Sequence, residues 1–171
     1  MSAPPPPGTV RVADLPPERR RELHAMLRDS TPLHRLLGLE LVEIGERHAV
    51  LSMPVRPEAF NSTGNLHGGA IATLIDVAAG TAAARGSGFR PEEQGLVTAD
   101  LHVRYLGRPR GDTVFARAEV LKAGRRLVIV ECRVADAEDR VIASADFSMM
   151  IVPRREPLRL VDGADAAGPD L

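Results

Sequence analysis

Between His67 and Arg85 stands a single charged residue, Asp76, in a run made almost wholly of Gly, Ala, Ile, Leu, Val and Thr. A carboxylate inside an apolar helix carries a large desolvation cost unless a partner offsets it. Asp76 also lies too far from the start of the run to act as an N-cap. Two readings fit it: a structural Asp bonded to a neighbouring strand or to an arginine across an interface, or a functional residue. Just upstream, Asn61-Ser62-Thr63-Gly64-Asn65-Leu66-His67-Gly68-Gly69 is polar and glycine-rich, then turns helical at once. A helix start presents free N–H groups and partial positive charge. Gly68 and Gly69 leave those N–H groups unshielded, so a substrate oxygen can come close. That is the layout of an oxyanion hole. The same glycine pair also permits close packing of helix against strand.

These groups need a frame. The segment from about Leu66 to Arg85 reads as one helix, apolar all round, and such a helix must be covered all round. Upstream, Leu23, Met26 and Leu27 recur at helical spacing between Pro17 and Asp29, and period-two patterns run from Gly38 to Val55. Downstream, Val97, Ala99, Leu101, Val103 and Tyr105 alternate with Thr98, Asp100, His102 and Arg104, the pattern of a half-buried strand. Further strands are expected from Val114 to Val120, Leu127 to Val134 and Val141 to Val152, with turns at Gly111-Asp112, Ala123-Gly124 and Ala137 to Asp139. Short turns between these strands predict an antiparallel meander. The expected class is α+β, a curved antiparallel sheet wrapped around one long central helix. Residues 1–16 are expected to be a disordered Pro-rich leader, 17–153 a single domain and 154–171 a flexible tail.

Composition narrows the function. A net charge of -1 gives no long-range pull toward nucleic acid or anionic membrane. Aromatic residues are 3%, with no tryptophan, which leaves little for base stacking. No window approaches the ~18 apolar residues of a membrane span, and no secretory apolar segment opens the chain, so a cytoplasmic protein is expected. One cysteine, Cys132, excludes an internal disulfide framework and a cysteine-based zinc site, and its apolar run makes it a core thiol. The five histidines are too scattered for a ligand set, and His102 falls on the outward face of its strand.

Asn61, Gly64, Leu66-His67-Gly68-Gly69, Leu74 and Asp76 together resemble the signature of hot-dog-fold acyl-CoA thioesterases, specifically the phenylacetate-degradation (PaaI-like) type. The resemblance runs from roughly Leu33 to Val152 and takes in Val97 to Leu101, Tyr105-Leu106 and Gly111-Asp112. Its most specific part is His-Gly-Gly with Asp76 seven residues beyond Gly69. It implies the same fold, a sheet around one helix, and hydrolysis of small, medium-chain or aryl acyl-CoA without a cofactor. By this resemblance Asp76 is the base or nucleophile and the Gly68 N–H polarises the carbonyl. Asn61 orients the thioester end or water, His67 supports the loop, and Thr98 holds the attacking water. Arg104, Arg108, Arg110, Arg125 and Arg126 are candidates for the CoA phosphates, or else ordinary solvated arginines.

Two alternatives stand beside hydrolysis: a hydratase or dehydratase acting on acyl thioesters, and a non-catalytic acyl-CoA binding module. A buried carboxylate offers a pure binder nothing. Geometry adds a further expectation. Gly68 and Asp76 lie eight residues apart on one helix, a separation of ~12 Å at ~1.5 Å per residue. A reacting carbonyl must sit within about 3 Å of both donor and base. One chain therefore cannot supply both, and a two-fold dimer must share the site, Asn61 and Gly68 from one copy facing Asp76 and Thr98 from the other. The resemblance implies such dimers too, often paired into tetramers.

Overall fold

In the computed structural model, which describes residues 8–154, the chain runs through β1 (Val10–Arg11), α1 (Pro17–Ser30), α2 (Pro32–Leu37), β2 (Glu40–Ile44), β3 (His48–Pro54), α3 (Gly68–Gly86), β4 (Gln94–Tyr105), β5 (Thr113–Ala123), β6 (Leu127–Asp136) and β7 (Val141–Pro153). Single 3-10 turns occupy Val12–Asp14 and Pro57–Ala59. The seven strands form one antiparallel sheet in the order β1-β2-β3-β5-β6-β7-β4. α3 packs on β3, β4, β5, β6 and β7, so the sheet wraps the helix. This is the α+β hot-dog fold that the sequence led us to expect.

Small side chains let the sheet close on α3. Leu74, Ile75, Ala78, Ala79, Ala82 and Ala83 are fully buried, against Leu51, Met53, Val114, Ala116, Val130 and Val134 from the strands. Burial of each larger aliphatic side chain contributes roughly 1.5–3 kcal/mol. Cover on all sides is not what the chain achieves. Thr73, Asp76, Val77, Gly80 and Thr81 remain only half-buried, because one sheet covers only the sector of the helix that it faces.

Three further expectations are corrected. The last four strands are not one meander: β5, β6 and β7 are consecutive neighbours, but β4 pairs with β7 at the far edge. Residues 106–112 make that crossing, tied to β7 by the Leu106 and Gly107 amides, which both donate to the Ile142 carbonyl. Next, the N-terminal segment is packed well before Pro17. Val10 and Arg11 pair with Ile44 and Glu43, and Val12 is 1% exposed in the core. Residues 1–7 of the expected leader, and 155–171 of the expected tail, lie outside the described residues. Finally, α1 buries no residue fully, and Met26 is exposed rather than part of an apolar stripe.

Cys132 lies inside β6, where burial, with the Glu131 charge as a lesser cause, pushes its thiol up to about 12. It is an inert core residue. Among the described residues, no helix is long and apolar enough to cross a membrane.

Candidate active site

The loop before α3 is organised by one side chain. Asn61 Oδ1 accepts hydrogen bonds from the Thr63 amide (3.0 Å), the Thr63 hydroxyl (2.8 Å) and the Asn65 amide (3.1 Å). Its own amide donates to the Asn65 carbonyl at 2.8 Å, and Gly64 closes the turn at φ 73°, a left-handed angle that favours glycine. The His67 amide donates to the Ala59 carbonyl at 2.8 Å, and buried Leu66 anchors the end of the loop. Asn61 Oδ1 is thus committed to shaping the loop, and its Nδ2 has no partner among the described residues.

His67 caps α3. Its Nδ1 accepts from the Gly69 amide at 2.8 Å, which puts the neutral ring's proton on Nε2. The His67 carbonyl takes the Ala70 and Ile71 amides at 3.0 and 3.1 Å. A helix start leaves its first amides to find partners outside the helix. Here one of them, the Gly68 N–H, has no acceptor among the described residues. Space is also tight at both glycines. A Cβ at Gly69 would stand 3.0 Å from His67 Nδ1, and one at Gly68 would meet the Tyr105 ring at 3.3 Å. The packing reading of the pair therefore holds.

Asp76 stands two helical turns further along α3. It is half-buried, not enclosed, and no cation pairs with it among the described residues. Its Oδ1 accepts from the Thr98 hydroxyl at 2.7 Å. Plain alternation along β4 sets Thr98 on the face opposite Leu101 and Val103. The structure overturns that assignment, because the register with β7 shifts between Thr98 and Asp100. The bulge at Ala99 turns Thr98 inward opposite buried Met149, while Asp100 and His102 face outward.

One residue near the site was given no role by sequence reasoning. The Tyr105 hydroxyl donates to the Gly68 carbonyl at 2.9 Å, fastening the end of β4 to the start of α3. Its signal was its place, an apolar-aromatic position closing the inward face of that strand. Of the arginines considered for phosphate, Arg104 is held by Asp146 at 3.1 Å. The Arg110 amide donates to Asp136, a 1% exposed carboxylate that also accepts from the Glu138 and Arg140 amides and the Arg140 guanidinium. That set, led by the Arg110 amide, holds the Asp136 carboxyl below its ordinary value. Among the described residues no three His, Cys, Asp or Glu side chains are grouped to hold a metal.

One helix thus carries, among the described residues, an unpartnered amide at its start and a hydroxyl-bonded carboxylate in its middle. The thioesterase superfamily model matches residues 63–143. The medium/long-chain acyl-CoA thioesterase YigI of Escherichia coli K12 is 30% identical over 132 residues, 70% of this chain and 85% of that protein. The chain belongs to the thioesterase superfamily. Solved structures agree: a thioesterase family protein from Silicibacter pomeroyi superposes with a TM-score of 0.66 at 28% identity, over 76% of this chain and 98% of that one. A mutant of the thioesterase PA1618 from Pseudomonas aeruginosa shares the fold, with a TM-score of 0.70 at 22% identity over 77% and 94% of the two chains. As a member of this superfamily the chain is a thioester hydrolase.

Proposed function

We propose that this thioesterase hydrolyses acyl-CoA, with small, medium-chain or aryl acyl groups, at a site shared between two copies of the chain. The observation that carries the reading is the spacing on α3: the unpartnered Gly68 N–H and the Thr98-bonded Asp76 are eight residues, ~12 Å, apart. Neither group alone completes a site. β4 supports the pairing, since it is a twelve-residue strand at the end of the sheet with one edge unpaired among the described residues, a ready template for a second chain. YigI, named for medium- and long-chain acyl-CoA, supports CoA as the thiol half of the substrate.

In this reading Gly68 N–H of one copy polarises the thioester carbonyl, and Asn61 Nδ2, kept free by the loop, orients the thioester end. Asp76 of the partner copy takes a proton from water whose position Thr98 fixes. The water oxygen bonds to the carbonyl carbon, the charge gathers on the oxygen facing Gly68, and collapse breaks the C–S bond. Direct attack by the Asp76 carboxylate is the variant of the same step. Thioesters suit so few groups, because their carbonyl has little resonance stabilisation. No cofactor enters the proposal. Hydration is the poorer fit, since a His base is needed and His67 Nδ1 is already occupied by the Gly69 amide. The test is thiol release from a panel of acetyl-, hexanoyl-, dodecanoyl- and phenylacetyl-CoA. Release from at least one supports the proposal; water addition or tight binding without thiol release overturns it.

A further inference from the structure

The glycine pair at the start of α3 carries four backbone polar groups, and side chains hold three of them. The Gly69 amide donates to His67 Nδ1 at 2.8 Å, the Gly69 carbonyl accepts from the Thr73 hydroxyl at 2.9 Å, and the Gly68 carbonyl accepts from the Tyr105 hydroxyl at 2.9 Å. Only the Gly68 N–H has no acceptor among the described residues.

The three holds differ in reach. His67 is the neighbouring residue and Thr73 lies on the same helix, so both move with α3. Tyr105 comes from β4, 37 positions along the chain from Gly68. Among the described residues it is the one side chain whose hydrogen bond ties the glycine pair to the sheet. Its own place is firm. It stands opposite buried Ala143 on β7, and the Leu106 and Gly107 amides that follow it both donate to the Ile142 carbonyl. Core packing does not account for it, since Tyr105 is 53% exposed. β4 carries Thr98 as well, so one strand braces α3 at both groups, with Thr98 on Asp76 and Tyr105 on Gly68.

Two adjacent glycines are conformationally permissive. A donor that stabilises a developing oxyanion must point at the oxygen before the charge forms. The planar Gly68–Gly69 peptide is gripped at both edges, by Tyr105 at its carbonyl and by His67 at its N–H, which limits the rotation left to Gly68. We infer that Tyr105 is a positioning residue of the hydrolysis, whose hydroxyl holds this peptide so that the Gly68 N–H stays aimed at the thioester carbonyl. It touches no reacting atom itself, and the inference rests on Gly68 being the donor, as proposed above. An aimed N–H serves the transition state more than the bound thioester, so loss of the Tyr105 hydroxyl lowers kcat and leaves KM nearly unchanged.

Tyr105→Phe keeps the ring and removes the donor. In thiol-release kinetics well below the Tm of both proteins, kcat should fall ~10-fold, as for the loss of one neutral hydrogen bond, with KM within about twofold. A rise in KM at unchanged kcat, or a kcat within about twofold of wild type, overturns the inference. Tyr105 is the chain's one tyrosine, so growth on a ring-fluorinated tyrosine alters this residue alone. Fluorine makes a phenol ionise at lower pH, and a phenolate has no proton to donate. The fluorinated protein should match wild type while its phenol is protonated. It should then lose ~10-fold in kcat as pH rises through that ionisation, at a pH where wild type keeps its rate. A fluorinated protein that follows the wild-type profile throughout overturns the inference, and this arm stands alone should Tyr105→Phe fail to fold. Failure of the proposed function reads differently: wild type then releases no thiol from any acyl-CoA, which overturns both.

Discussion

At the residue scale, the weight falls on a carboxylate with a neutral partner. Thr98 donates to Asp76 Oδ1 at 2.7 Å, so its oxygen lone pairs remain to accept from water beside the carboxylate. Asp76→Asn keeps the volume but removes the proposed base, and kcat should fall by ~10²–10⁴ with folding intact. Turnover above half of wild type in a thiol-release assay would sink the assigned role. Thr98→Ala removes one neutral hydrogen bond, worth about 1 kcal/mol, and should slow turnover by ~10-fold. Thr98→Ser, which keeps the hydroxyl, should recover most of that rate, and equal rates for all three proteins would remove Thr98 from the site.

At the element scale, α3 depends on its cap. His67→Ala strips the acceptor from the Gly69 amide and should lower unfolding free energy by about 1 kcal/mol in urea titrations, while His67→Asn restores most of it. The β5–β6–β7 corner depends on Asp136. Its carboxyl is held below the ordinary value by the Arg110 amide first, so its ionised form belongs to the folded state. The sign follows: its stabilisation is complete above the ordinary Asp range near pH 4 and is lost as pH falls through the lower folded value. Asp136→Asn should therefore lower Tm at pH 7, and the gap to wild type should narrow on acidification. A gap that widens toward low pH would contradict this. These elements also show what could be read in advance. The apolar run after His67 and the alternation from Val97 to Tyr105 declare a helix and a strand, because those periodicities are local. The partner of β4 is not local, and nothing in its own residues says β7 rather than β5. The bulge at Ala99 was equally silent, which is why alternation alone set Thr98 on the wrong face. α2 left a signal that went unread: Thr31 accepts from the His34 amide, Pro32 opens the helix and Gly38 ends it at φ 64°.

At the scale of the whole molecule, the question is how many chains make one site. Two inactive proteins answer it. Asn61→Ala and Asp76→Asn, co-expressed with different tags, give a mixed dimer in which one shared site carries both lesions and the other carries neither. Purified mixed dimer should recover about half of wild-type activity under two-fold sharing. A mixed dimer as inactive as its parents would place the site within one chain.

Tyr105 has an optical consequence. The chain contains one tyrosine and no tryptophan, so its ultraviolet emission comes almost wholly from a single ring. That ring lies against Gly68, with its hydroxyl bound to the Gly68 carbonyl. The protein thus carries an unlabelled fluorophore at the start of α3, on a dark background, and its intensity and lifetime report whatever settles there. The same scarcity makes the purified protein nearly transparent at the wavelength by which most proteins are weighed in solution.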